Sequence, residues 1–97
     1  MLVMAGVALL VGAPAASAHA QLESSNPGAG EVLPVAPRTV ALVFGEAVEP
    51  SANSIEVFDD HLRRIPIGPA TVFGANGDGL SASLPAGLAK GTYTVSW

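Results

Sequence analysis

Apolar and polar residues alternate along several short segments of this chain, and the alternation limits what it can fold into. The segment Thr39–Phe44 places Val40, Leu42 and Phe44 on one face. Further segments of this kind are Ser54–Asp59, Ala70–Phe73, Leu80–Leu84 and Thr92–Trp97, with another expected over residues 18–25. A period of two is typical of a strand with one buried face, whereas a helical stripe repeats every 3.6 residues. The sequence therefore predicts an all-β domain.

Turn-forming residues separate these segments. Asn26-Pro27-Gly28 follows the first predicted strand, and the run Gly74–Gly79 contains Asn76-Gly77 and Asp78-Gly79. Asn, Asp and Gly tolerate positive φ, as tight hairpin turns require. Short strands with turns every 8–12 residues, as a rough spacing, are typical of a β-sandwich or barrel. The 97-residue chain is long enough for one small domain.

The first eighteen residues differ from the rest because they contain no charged side chain. They hold a short apolar stretch and end with Ala16-Ser17-Ala18, a small-residue pattern typical of signal-peptidase sites. The stretch is shorter than the roughly 20 residues of a membrane-spanning helix. We therefore predict a signal peptide over residues 1–18 and a mature domain over 19–97, exported to a periplasm or to the outer face of the cell membrane. No Lys or Arg precedes the apolar stretch, which departs from the usual signal-peptide pattern. The alternative interpretation is that the stretch forms an N-terminal helix of the core.

Composition excludes several function classes. Four basic and eight acidic residues give a net charge of −4, so no basic surface is available for nucleic acid. The chain has no cysteine, and both methionines precede residue 19, which excludes thiolate sites and a thioether-rich Cu(I) site in the mature domain. Motifs such as G-x-S-x-G and H-E-x-x-H are absent, so we expect no enzymatic activity.

The two histidines have different expected roles. His61 lies between two aspartates and two arginines in the segment Phe58–Pro66, which predicts an exposed turn without catalytic function. His19 would become the first residue after cleavage behind Ala18. It would then offer a free amine and an imidazole, whose ordinary pKa values are about 7.7–8.0 and about 6.5. Two such nitrogens on one residue suit Cu(II) better than Mg(II) or Ca(II).

Three motifs stand out along the chain. The first is a turn with Ser25, Pro27 and Gly30. The second is a strand with Pro37, Val40, Leu42, Phe44 and Glu46. The third is the strand with Gly91, Tyr93, Val95 and Trp97. Together they resemble the CopC family of exported copper-binding, copper-resistance proteins.

The resemblance implies a Greek-key β-sandwich or barrel, similar to an immunoglobulin domain. It also implies that His19 binds Cu(II) through its amine and imidazole, with Glu46 as a ligand or a hydrogen-bond acceptor beside the ion. The family's further ligands, an Asp and a His, follow the tryptophan strand, so we expect the domain to continue past Trp97 with its last strands. The expected partners are the copper ion and a membrane copper-transport protein, separate or fused downstream, and the protein is expected to be a monomer.

Two other function classes stay open at this point. One is a structural or adhesive immunoglobulin-like module in which His19 has no metal role. The other is a copper-dependent oxidative enzyme, since some polysaccharide-cleaving enzymes also use an N-terminal histidine. Such enzymes need a flat aromatic substrate face, and the five aromatic residues here lie mostly at core positions of strands.

Overall fold

The computed structural model describes residues 2–3, 8–9, 21–51 and 54–97, and every regular element in this part is a β-strand. The strands are β1 (Leu2–Val3), β2 (Ala8–Leu9), β3 (Leu22–Asn26), β4 (Thr39–Phe44), β5 (Glu56–Phe58), β6 (Arg64–Ile65), β7 (Thr71–Phe73), β8 (Gly79–Ser83) and β9 (Thr94–Ser96). The predicted all-β fold is confirmed, because these ranges contain no helix.

The strands form two sheets. One has the order β3-β4-β8-β7 and is antiparallel throughout. The other has the order β1-β2-β9-β5-β6, in which only β2 and β9 pair in parallel. The two-sheet arrangement agrees with the predicted sandwich, while the immunoglobulin-like Greek key stays a prediction.

The core lies between the two sheets and follows the predicted alternation. Val40, Leu42 and Phe44 of β4 are buried, with Leu42 fully inaccessible. They pack in one cluster with Val57 of β5 and Val95 of β9, so both sheets contribute. Such alternation of inward apolar residues is how a sandwich fills its interior.

Most predicted strands are confirmed with small shifts in their ends. The strand expected over residues 18–25 runs over Leu22–Asn26, and the Gly74–Gly79 run connects β7 to β8 as a hairpin. The strand at Arg64–Ile65 was not expected, since two residues are too few to show a period of two. It pairs with β5 through Val57 and Phe58.

Of the predicted signal peptide, the structure describes only β1 and β2. β2 lies along β9, with Ala8 opposite Thr94 and Leu9 opposite Val95. The rest of residues 1–18, and with it the cleavage site, lies outside the described residues. The described ranges contain no helix long and apolar enough to cross a bilayer.

Candidate metal centre

The sandwich has two distinct ends. A groove between two loops helps to show which strands begin and finish at each end. The groove is lined by Val32–Pro34, which precede β4, and by Leu88–Gly91, which precede β9. Because both segments line one groove, β4 and β9 begin at the same end of the molecule. Both strands therefore finish at the opposite end, where Glu46 follows β4 and Trp97 follows β9. We call this second end the Glu46 end.

Three chain segments meet around Glu46. The Gly45 amide donates a hydrogen bond of 2.9 Å to the Gln21 carbonyl, just before β3. The Phe44 amide donates to the Asp78 carbonyl, just before β8, also at 2.9 Å. These bonds continue the ladders in which β4 pairs with β3 and β8. Glu46 thus follows a central strand of its sheet and lies itself in a bend.

Glu46 has a carboxylate free to bind a cation. The residue is exposed, and within the described ranges it takes part in no hydrogen bond or ion pair. Carboxylate oxygens are accepted ligands for first-row divalent metals, as imidazole and amine nitrogens are for Cu(II). The chemistry of Glu46 is therefore compatible with the role that the family resemblance implies for it.

His19, the other predicted ligand, lies outside the described residues. The chain nevertheless limits where it can be, because Gln21 is held beside Gly45. Two residues span at most about 7 Å between Cα atoms. A chain that begins at His19 would start within that reach of Gln21.

The opposite end is built around a tight turn between β5 and β6, which we call the His61 end. The Asp59 carboxylate accepts hydrogen bonds from the backbone amides of His61 (2.9 Å) and Arg63 (2.8 Å), and from Arg63 Nε (3.2 Å). The backbone bond from Arg63 contributes most to a lowering of the Asp59 pKa below 3.8. Asp59 therefore acts as the cap of this turn.

Asp60 and His61 lie beside Asp59 in a group whose residue types could hold a metal ion. The ligand atoms of Asp59, Asp60 and His61 lie within 4.8 Å of one another. The Asp59 oxygens are already used by the turn, and His61 Nδ1 lies 2.9 Å from Asp60 Oδ1 in an exposed pair. The expectation that His61 is an exposed turn histidine is confirmed, since its side chain is 71% accessible.

The two ends are too far apart to share an ion. β5 and β9 are antiparallel with Phe58 opposite Thr94, which places Asp59 beyond the start of β9. β4 has six residues, so its first and last Cα atoms lie about 17 Å apart. Metal–ligand bonds in proteins are about 2.0–2.6 Å long. His61 therefore cannot join Glu46 around one metal ion.

The apolar residues of the motifs on β4 and β9 pack in one core cluster. A family model described as the CopC domain matches residues 22–97. The chain belongs to the CopC family. CopC proteins bind copper and are associated with copper resistance. Comparison of the sequence with curated proteins found no match.

The CopC match includes Glu46 and begins three residues after His19. It does not assign a ligand role to either residue. The structure also shows a residue that the sequence did not suggest, Glu23, whose carboxylate lies over Gly45. In the sequence, Glu23 is distinguished only by its place four residues after His19. That spacing cannot be interpreted until the pairing of β3 with β4 is known.

Proposed function

We propose that this CopC protein is an exported carrier that binds Cu(II) at its Glu46 end. The ligands are the amine and imidazole of His19, exposed as the N-terminus by signal-peptide cleavage, and the Glu46 carboxylate. The protein sequesters the ion or transfers it to a membrane copper-transport protein, and it catalyses no reaction. It acts as a monomer in a periplasm or on the outer face of the cell membrane.

One observation supports this proposal most. The 2.9 Å hydrogen bond from the Gly45 amide to the Gln21 carbonyl joins the segment after His19 to the residue before Glu46. Segments that are distant in sequence are thereby held on neighbouring strands. The His19 nitrogens and the Glu46 oxygens can then reach one ion, since both lie close to this bond along the chain.

The chemistry of the donor set favours Cu(II). The amine and imidazole of one residue close a chelate ring, and a carboxylate adds a charged oxygen. Both nitrogens lose their protons near neutral pH once a metal competes for them. Before cleavage the His19 nitrogen is an amide and cannot act as an amine ligand. Processing would therefore create the site.

The proposal is tested with the exported protein, purified after processing and with its N-terminus determined. Cu(II) buffered by a competing chelator is added while the fluorescence of Trp97, the single tryptophan, is followed. We expect one Cu(II) to bind and to quench Trp97, which follows β9 at the Glu46 end. Adding one residue before His19 should weaken binding at least about 100-fold, because the free amine moves away from the imidazole.

A His61→Ala variant serves as the matched control, since it removes the other histidine from the distant end. It should bind Cu(II) as the wild type does. Equal affinity with and without the added residue would contradict the proposed ligands. No binding by the processed wild type would favour a structural module instead, and oxygen-dependent turnover in the presence of a reductant would favour a copper enzyme.

A further inference from the structure

The most exposed large apolar side chains of the described ranges lie at the His61 end. Val32, Val35 and Leu62 are 75%, 75% and 77% accessible. Val32 lines the groove between the two loops, and Val35 lies between Pro34 and Ala36, which line it as well. Leu62 belongs to the turn between β5 and β6. We call these three exposed side chains the apolar tips.

A close approach joins the loops that carry the apolar tips. A methyl group on Gly91 would lie 3.3 Å from Asp60 Oδ2, and Gly91 lines the groove together with Val32. Asp60 lies two residues before Leu62 in the turn. The Asp59 carboxylate fixes this turn by accepting hydrogen bonds from two of its backbone amides. The apolar tips therefore lie on adjoining loops, one of which is held by its own hydrogen bonds.

Leu62 has a backbone conformation that is unfavourable for a leucine. Its φ is +61°, the only positive φ outside glycine in the described part of the chain. The left-handed region brings Cβ close to the neighbouring backbone, so Gly or Asn is the usual residue there. Packing does not explain the leucine, because its side chain is largely exposed. A leucine that is both strained and exposed points to a contact outside the molecule.

The charges around the apolar tips indicate the chemistry of the partner. Three carboxylates near this end already have hydrogen-bond or ion-pair partners: Glu31, Asp59 and Asp60. Arg38 and Lys90, in contrast, take part in no ion pair within the described ranges. Arg38 directly precedes β4, and Lys90 lines the groove. The charge available to a partner at this end is therefore positive, which suits an anionic surface.

We propose that the His61 end docks the protein on the surface of an anionic phospholipid bilayer. The apolar tips enter the interface between headgroups and acyl chains, and Arg38 and Lys90 contact the lipid phosphates. Glu23 and Glu46 lie at the opposite end and have no ion-pair partner within the described ranges. Repulsion between these carboxylates and the anionic surface turns the Glu46 end away from the bilayer. The docking needs no copper and goes beyond the proposed function.

Co-sedimentation of the copper-free, processed protein with vesicles tests the proposal. We expect binding to vesicles of phosphatidylglycerol and phosphatidylethanolamine, and at least about fivefold weaker binding to vesicles of phosphatidylcholine alone. Leu62→Gly should weaken binding about tenfold, because it removes an apolar side chain from the interface. Its thermal unfolding midpoint should stay unchanged or rise, since glycine adopts a positive φ without strain.

The matched control is Val72→Thr, which makes another exposed apolar side chain polar. Val72 pairs with Leu80, which pairs with Leu42, so it lies level with the middle of β4 and away from the apolar tips. This variant should bind the anionic vesicles as the wild type does. Lys90→Gln should weaken binding about fivefold at low salt, which is the contribution of one basic residue near an anionic surface. The loss should shrink as the ionic strength rises, because salt screens the attraction.

Three results would each overturn the docking proposal. They are equal binding to the two kinds of vesicle, equal binding by the wild type and Leu62→Gly, and no binding of the wild type to either vesicle. The last result would favour a protein partner for the apolar tips. Copper binding is measured separately by titration, so the docking can fail while the proposed function stands, and the reverse.

Discussion

The two ends of the sandwich contain similar residue types, but the hydrogen bonds of these residues differ. Each has several carboxylates, and His61 lies at one end while Gln21, two residues after His19 in the sequence, lies at the other. At the His61 end, Asp59 is occupied by three N–H donors and Asp60 is paired with His61. At the Glu46 end, Glu23 and Glu46 have no such partners in the described part of the chain.

This comparison shows that the possible ligand atoms of the two ends differ in their hydrogen bonding. The Asp59–His61 group has the composition and the short distances, and its oxygens hold a turn. The Glu46 end has no such group of three within the described residues, and its histidine would come from the processed N-terminus. The hydrogen bonds of the carboxylates therefore distinguish the two ends.

The largest expected effect is on copper affinity at the Glu46 end. Glu46→Gln should weaken Cu(II) binding about tenfold or more, since it replaces a charged ligand oxygen by a neutral one. The matched change at the other end, Asp60→Asn, should leave the affinity unaltered. Chelator competition on both variants measures the difference. Equal losses in the two variants would show that the ends do not differ as described.

A smaller effect is expected on stability at the His61 end. The Tyr93 hydroxyl donates a 2.6 Å hydrogen bond to the Ala89 carbonyl, four residues earlier, as in the tyrosine corner of β-sandwiches. Tyr93→Phe should lower the free energy of unfolding by about 1 kcal/mol. Copper affinity should not change, because the bond lies at the far end from Glu46. Urea unfolding with and without Cu(II) tests both statements, and a large loss of affinity would contradict the separation of the ends.

The smallest effect concerns the pH dependence of the turn that Asp59 caps. The Asp59 pKa is lower in the folded chain than its ordinary value of 3.8, mainly through the Arg63 backbone amide. Its contribution to stability is therefore present above pH 3.8 and disappears as the pH falls through the lowered pKa. Asp59→Asn should be less stable than wild type near neutral pH, and the difference should close in acid. A difference that stays constant from neutral to strongly acidic pH would contradict this role.

The sequence was sufficient to predict the strands that form the core. Val40, Leu42 and Phe44 alternate over six residues, and a segment of that length shows its period of two in the amino-acid pattern itself. Leu22–Asn26 was located less well, because its bulge at Glu23 interrupts the alternation. Arg64–Ile65 was missed because it forms a strand only by pairing with β5.

The candidate site could be predicted only in part. Glu46 was named through the resemblance of its motif to the CopC family and stays a prediction, while His61 was correctly expected in an exposed turn. The position of Glu23 over Gly45 depends on a register shift between strands, which composition and spacing do not contain.

The central claim is that copper binds at the Glu46 end, and NMR can test it residue by residue. Cu(II) is paramagnetic and broadens the amide signals of nearby residues in the ¹⁵N-labelled, processed protein. With less than one equivalent of Cu(II), we predict that the signals of Gln21, Gly45 and Glu46 disappear first, while those of His61 and Gly91 stay sharp. Early loss of the His61 and Gly91 signals, with Gly45 and Glu46 unaffected, would contradict the account.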